Sequence, residues 1–418
     1  MNYHFRRGAL ALCATTAMGL GLVACGSDEG GGGAANAGLT KDPVKLWVIG
    51  DETSQTGLSY SGIPAAIKAA AERVNKEGGI EGHPVEIKTC DLQNLPDQAS
   101  RCARDALNDK ASAALVQASF GTAKIPPVFE QGKTAYLPAF AFDPADLHSD
   151  VAFPMAAGVL TQIAGSYIAG LNCQNPVLIS VQTPQLDYVK ELSAMGFAAA
   201  GKPPAKIVAA PLGATDWAPT AAQAVSSKPD CIVPYLSETL MTAFYPALQQ
   251  TGWKNDSNKL AGYQGGVYTQ KILEKFPDLL EGMVAVDMSY PFNDPKWNKF
   301  NETMDPINKE KLTNFTSSFT KGSYLNFLAF VDVARRVAKS GQPVNNESVL
   351  AMFNKTSDVQ TDGLLAPVDT STPWSVEDFP RMFNRSLVFE TFKDGKLTAL
   401  ENGKFNDLSD KIAQASAQ

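Results

Sequence analysis

Histidine is almost absent from this 418-residue chain, with only His4, His83 and His148. No close Cys/His cluster exists, so neither a structural zinc site nor a histidine general base finds the residues it needs. His148 sits beside Asp146 and Asp150 without a nucleophile near it in sequence. No G-x-x-x-x-G-K-[ST] loop is present to cradle a phosphate, and no G-x-S-x-G elbow to raise a serine. Positive charge is in deficit: with Arg6 and Arg7 set aside, 34 basic residues face 43 acidic ones, a formal balance of −9. With no basic patch or aromatic ladder either, nucleic acid is excluded as a partner. Apolar runs of any length are confined to the leader, and none elsewhere approaches the ~20 residues that cross a bilayer.

What is present begins with an address. Arg6-Arg7, an apolar stretch from Ala9 to Val23 and a small residue before cysteine make residues 1–24 a signal peptide outside the fold. Leu22-Val23-Ala24-Cys25-Gly26 resembles a bacterial lipobox, which implies cleavage before Cys25 and a lipid on its sulfur; an ordinary signal peptide or an uncleaved span are the alternatives. Residues 25–42 are dominated by glycine and alanine and read as a flexible tether. Lipid and leash together place the body outside the cell membrane, anchored to its outer face.

Cysteine usage fits that oxidising address. Cys13 leaves with the leader and Cys25 is the lipid site, so Cys90, Cys102, Cys173 and Cys231 remain. Four cysteines permit three pairings. Cys90 with Cys102, where a strand end meets the next helix, and Cys173 with Cys231, each just before an apolar strand, is the expected set. Free buried thiols and a metal site stay open as alternatives.

The chain is organised around residues 46–91. Leu46-Trp47-Val48-Ile49 is a short apolar run that stops at Gly50 in the polar segment Asp51 to Gly57. Ile63, Ile67, Ala70, Ala71 and Val74 then recur at helical spacing, and the helix ends with basic residues and Gly78-Gly79. Val85-Glu86-Ile87-Lys88 alternates as a strand. This is a right-handed βαβ unit of a parallel sheet, and its first loop, with Thr56 and Tyr60, lies at the crevice beyond the strand ends.

Thr56-Gly57, followed by Ala71-Glu72-Arg73-Val74-Asn75-Lys76-Glu77-Gly78-Gly79-Ile80-Glu81-Gly82-His83-Pro84-Val85, resembles the opening of the solute-binding proteins of branched-chain amino acid and amide ABC importers. The resemblance runs from about Lys45 to Lys396. It implies a type I periplasmic-binding-protein fold: α/β, two lobes, each a doubly wound parallel sheet flanked by helices, joined by a three-segment hinge. The lobes are expected at 43–154 with 290–360, and at 155–289 with 361–418. His83 falls in the family's surface turn.

The resemblance also distributes a ligand site. The loops after the third and fourth strands would give Ser119 and Thr122 as carboxylate anchors and Ala139, Phe140 and Ala141 as backbone donors. Ser119 and Thr122 can equally be read as loop residues bonding their own backbone. Across the cleft lie Tyr235 and Ser237, with Glu238 either a ligand contact or the first residue of the next helix. Thr215-Asp216-Trp217 reads as a helix cap with a packed aromatic. At Tyr263-Gln264-Gly265-Gly266 the chain departs from its relatives. Amino-acid binders carry an acidic residue at this corner for the ligand's ammonium group, and Gln264 cannot supply that charge. Glu238 or Asp287 are candidates to replace it. Tyr60, Phe140, Phe142, Tyr235 and Tyr263 gather at strand ends, which suits an aromatic organic acid or amide, or a packed core.

The implied function is binding without chemistry, and without cofactor or metal. A monomer with no enzymatic activity captures a small-molecule ligand and presents it to an ABC permease in the membrane. Two rivals remain. A ligand-sensing ectodomain would need a membrane-spanning output segment or a partner that supplies one, and a surface-tethered hydrolase would need turnover.

Overall fold

β1 (Val44–Gly50) buries Val44, Leu46, Val48 and Ile49, and it pairs in parallel with β2 (Val85–Asp91) on one side and β3 (Ala113–Val116) on the other. Between β1 and β2 runs α1 (Gly62–Lys76), whose buried face is the Ile63, Ile67, Ala70, Ala71, Val74 stripe legible in the sequence. The computed structural model describes residues 38–53, 62–93, 95–117, 122–183, 185–256, 259–308 and 317–417. The leader, Cys25, most of the tether, Thr56, Tyr60 and Ser119 lie outside those residues.

α2 (Pro96–Asn108) opens on a proline, at the position where a missing N–H costs nothing. α3 (Pro126–Gln131) starts at its two prolines, which cannot donate to a preceding turn, and residues 122–124 before it form a 3₁₀ turn. β4 (Tyr136–Pro138) completes a four-stranded parallel sheet of order β2-β1-β3-β4, and α4 (Pro144–His148) follows. The order reverses between β1 and β3, so the crevice at their carboxyl ends is a topological switch point.

The pattern repeats with α5 (Gly158–Asn172), β5 (Pro176–Val181), α6 (Leu186–Ala199), β6 (Lys206–Ala210), α7 (Ala218–Ser226) and β7 (Cys231–Pro234). Asp216 accepts from the Ala218 amide at 2.9 Å and Trp217 packs edge-on against Phe244, the cap and packed aromatic expected there. α8 (Glu238–Gln250), β8 (Ala261–Gly262), α9 (Gln270–Lys275), α10 (Pro277–Leu280) and β9 (Val284–Asp287) continue the second half. β6-β5-β7 is parallel, and one bridge between Ile232 and Leu260 carries it on to β8 and β9.

After β9 the chain returns to the first sheet as α11 (Asn298–Asn308), α12 (Ser318–Lys339) and α13 (Asn346–Phe353). Sixteen of the 22 residues of α12 are buried, which makes it a central helix rather than an amphipathic surface one. Its Asn326, fully buried, donates to the Leu137 carbonyl and accepts from the Met155 amide, both at 3.0 Å. Residues 359–384 stay with the first sheet's side. The Arg381 amide donates to Leu147 O, its Nε to Ala152 O, and Asn384 Nδ2 to Met155 O. Only at β10 (Ser386–Lys393) does the chain rejoin the second sheet, later than the crossing expected near Asp362 to Val368. There the sheet stops being parallel. β10 pairs antiparallel with β9, with β11 (Lys396–Ala399) through the expected hairpin bend, and with β12 (Phe405–Asp407), before α14 (Ser409–Ser416).

Two disulfides close the account of the cysteines. Cys90–Cys102 ties the end of β2 to α2, and Cys173–Cys231 ties the turn before β5 to the start of β7. Both pairs match the expected set.

Candidate functional site

Strand ends and the start of α12 converge on one region between the two sheets. On the first sheet's side, Gln117 follows β3 and lies over the end of β1, where a Cβ on Gly50 would come 2.1 Å from its Cδ. Thr122 is buried in the 3₁₀ turn. After β4, the Ala139 amide donates to Val116 O at 2.7 Å and the Ala141 amide to Ala156 O at 3.1 Å. Those two donors are therefore spent inside the protein, contrary to the expectation that they face a ligand carboxylate. Phe140 lies edge-on to Phe319 with centroids 5.2 Å apart, and its ring occupies the space a side chain at Gly158 would need. Phe142 reaches Tyr188 on α6 in the same edge-on way, a contact between the two halves.

On the second sheet's side, Tyr235 and Tyr263 stack with centroids 4.7 Å apart. The Tyr235 hydroxyl is engaged by Ser166 Oγ at 2.6 Å and by the Gln162 carbonyl, and burial pushes its ionisation far above the usual phenol range. It can offer a ligand its ring and not its hydroxyl. Ser237 caps α8 by accepting from the Leu240 amide and is exposed, which leaves it a structural part. Glu238 is the first residue of that helix and lies 4.0 Å from Lys271. Gln264 is 1% exposed and its Nε2 has no hydrogen-bond partner among the described residues.

Of the charged groups nearest that corner, Asp287 was a sequence candidate, while Lys321 and Glu390 escaped the sequence reading. Lys321, in the first turn of α12, meets Asp287 at the end of β9 at 3.0 Å, with both side chains 3–4% exposed. The Lys321 ammonium also lies 5.5 Å from the Trp297 ring centroid and 5.8 Å from that of Phe292. Glu390 on β10 is fully buried, and neither of its carboxylate oxygens has a partner among the described residues. Burial, and then the charge of Asp287, push the Glu390 carboxyl well above the ordinary range, while Lys321 opposes them. Gly265 and Gly266 let the corner come this close. A Cβ on Gly265 would lie 1.8 Å from Glu390 Oε2, and one on Gly266 2.3 Å from Ser318 Oγ.

Of these, Gly265, Gly266, Phe292, Lys321 and Glu390 line a cavity of about 170 Å³ together with Tyr268 and Thr269. Thr269 Oγ1, Ser289 Oγ and Ser318 Oγ are buried without partners, as are Gln264 Nε2 and both Glu390 oxygens. Each such group costs roughly 1–3 kcal/mol when left unsatisfied. Their concentration around one corner marks a place built to meet something polar. A wider cavity of about 620 Å³ outside α2 is lined by solvent-exposed charges such as the Asp97–Lys124 pair and has no comparable buried polar set.

A signal for Glu390 was present in the sequence. Residues 386–392 alternate as a strand, and the register that turns Val388 and Phe392 inward turns Glu390 inward too. For Lys321 there was only its place at the head of an apolar helix.

A family profile described as periplasmic binding protein matches residues 43–376. A search of curated proteins returns no match. Among solved structures, a leucine-binding protein from Thermotoga maritima superposes with a TM-score of 0.64 at 16% identity, over 88% of this chain and 99% of its own. A fatty acid ABC transporter substrate-binding protein from Thermomonospora curvata gives 0.67 at 18% identity, over 89% and 95%. A solute-binding protein of an R. palustris ABC transporter, solved with 4-hydroxybenzoate, gives 0.64 at 18% identity, over 88% and 98%. The shared feature is the fold, the two-lobed α/β arrangement with parallel sheets flanked by helices.

Proposed function

This chain belongs to the periplasmic binding protein family, and from that premise we propose that it captures a small organic solute between its lobes and hands it to an ABC importer. The observation that carries the proposal is the set of partnerless buried polar groups where the strand ends of the second sheet meet the head of α12. Solute classes bound by proteins of this fold, leucine, fatty acid and 4-hydroxybenzoate, bracket the chemistry to amino acids, amides and organic or aromatic acids. The lobes are residues 43–154 with 290–384, and 155–289 with 385–418; the contacts of Arg381 with Leu147 and Ala152 support moving the last boundary beyond 360. Thr122 on one side of the cleft and Tyr235, Tyr263 and Gln264 on the other are the ligand contacts of this reading; Thr56, Tyr60 and Ser119, expected beside Thr122, lie outside the described residues. The mature chain acts as a monomer, lipid-anchored through Cys25 at the outer face of the cell membrane, on the 25–42 tether.

The cycle needs no bond chemistry. Lobes that sample open and closed arrangements are held closed by a solute touching both, and the closed form docks on the permease. A thermal-shift panel on the chain from residue 26 tests this, comparing neutral amino acids, non-amino carboxylates, aromatic acids, amides and ureas. At least one class is expected to raise the melting midpoint, since a ligand at ~100 times its Kd stabilises by about 2.7 kcal/mol. A chain that responds to none of them, and releases no small molecule when denatured, contradicts the proposal.

A further inference from the structure

We infer that the solute carries a primary ammonium group and that Glu390, rather than any residue of the Tyr263–Gly266 corner, receives it in the cavity between β10, the 265–270 turn and the head of α12. The inference rests on the solute-binding reading and specifies its substrate class.

Asp287 and Lys321 neutralise each other at 3.0 Å, which leaves Glu390 as the acidic group lining the cavity without an ion-pair partner among the described residues. Asp287 and Glu390 project from the same face of the sheet. Asp287 stands opposite Val388 and Ala285 opposite Glu390 in the antiparallel register, so both acids occupy the inward-facing set. At Glu390 the negative influence of Asp287 outweighs the positive one of Lys321. The remaining charged group lining it is Lys396 on β11, and Tyr268, Thr269, Gln270 and Asn293 are the uncharged polar neighbours. A buried carboxyl in this setting holds a proton until a cation replaces it.

Shape agrees with charge. A cavity of about 170 Å³ is smaller than the roughly 300–1,000 Å³ of a whole small-molecule site, so it suits one end of a solute whose remainder extends into the cleft. The rings of Tyr268 and Phe292 give it aromatic walls, which favour an ammonium group. Gly265 allows this approach, because any larger residue would fill the space beside Glu390 Oε2. The charge that Gln264 withholds from the corner is thus supplied from a strand more than a hundred residues further along the chain.

The rival occupant is an organic anion paired with Lys321, to which a protonated Glu390 donates a hydrogen bond. The two are separated by the sign of their pH dependence. An ammonium ligand displaces the Glu390 proton, so its affinity rises with pH, up to about tenfold per unit while Glu390 is protonated in the free protein; an anion that needs that proton binds more weakly as pH rises. The probes are matched skeletons: 3-methylbutylammonium and 4-methylpentanoate, benzylammonium and benzoate, and leucine and phenylalanine, which carry both groups.

Titration calorimetry across neutral pH, on the mature chain and on Glu390→Gln, gives the answer. Ammonium-bearing probes are expected to bind wild type with affinity rising with pH and to lose at least tenfold in Glu390→Gln. That variant is expected to fold with an unchanged or raised melting midpoint, because it removes only a buried acidic proton. Three results overturn the inference: ammonium binding retained in Glu390→Gln, carboxylate-only probes binding with the opposite pH trend, or no ammonium-bearing probe binding at all. In each case the wider solute panel decides separately whether the protein captures solutes.

Discussion

Asp146 shows how one buried residue sets a pH response. It is 4% exposed and accepts from the Tyr136 hydroxyl at 3.0 Å, and burial pushes its carboxyl from 3.8 up to about 7. Between those values the folded protein keeps a proton that the unfolded chain has lost, so stability falls as pH rises through that window, by on the order of a few kcal/mol. Asp146→Asn keeps an acceptor for Tyr136 and removes the titration. From about pH 5 to about pH 8 the urea midpoint should fall more steeply for wild type than for the variant, in which the buried Glu390 still titrates; equal slopes in the two proteins would contradict the assignment. Arg381 is the basic counterpart. Its guanidinium lies 4.6 Å from the ring centroids of both Phe153 and Phe383, and burial lowers its pKa to about 10. Neither environment is legible from sequence: Asp146 is set by burial against the neighbouring β4, which a short helical pattern does not announce, and Arg381 by Ala152 O and Phe153, far back in the chain.

Elements were far more legible than sites. The 46–91 unit, β3 at Ala113–Val116 and α7 at Ala218–Ser226 follow local patterns, with apolar runs ended by glycine or polar turns and a cap before the helix. Local pattern failed where tertiary contact decides. The antiparallel turn of the second sheet at β10 and the long stay of residues 359–384 beside the first sheet depend on partners chosen across the chain. So does the use of the Ala139 and Ala141 amides, which the neighbouring Val116 and Ala156 carbonyls capture. The disulfides act at this scale as well. Cys90–Cys102 spans 12 residues and Cys173–Cys231 spans 58, and the chain-entropy account gives about 3 and about 4 kcal/mol respectively. Replacing Cys173 and Cys231 by alanine should therefore lower the chemical-denaturation stability more than replacing Cys90 and Cys102. The reverse order would show that native packing around β2 and α2, and not loop closure, dominates.

At the scale of the whole molecule, two α/β halves meet along strand ends, and one apolar cluster runs through both, from Leu46 and Leu137 to Leu178 and Val233. Lys321 of α12 pairs with Asp287 of β9, and Phe142 meets Tyr188. Burying the Lys321–Asp287 pair gives little net stability by itself, but its geometry is demanding, so it holds one relative arrangement of sheet and helix above others. That is the property a binding protein needs when a solute must decide which arrangement persists. The most direct test is small-angle X-ray scattering on the mature chain, with and without the solute that gives the largest thermal shift. The account predicts a smaller radius of gyration on saturation, as the lobes close over the solute. A saturating ligand that leaves the radius unchanged would contradict capture by closure between the lobes.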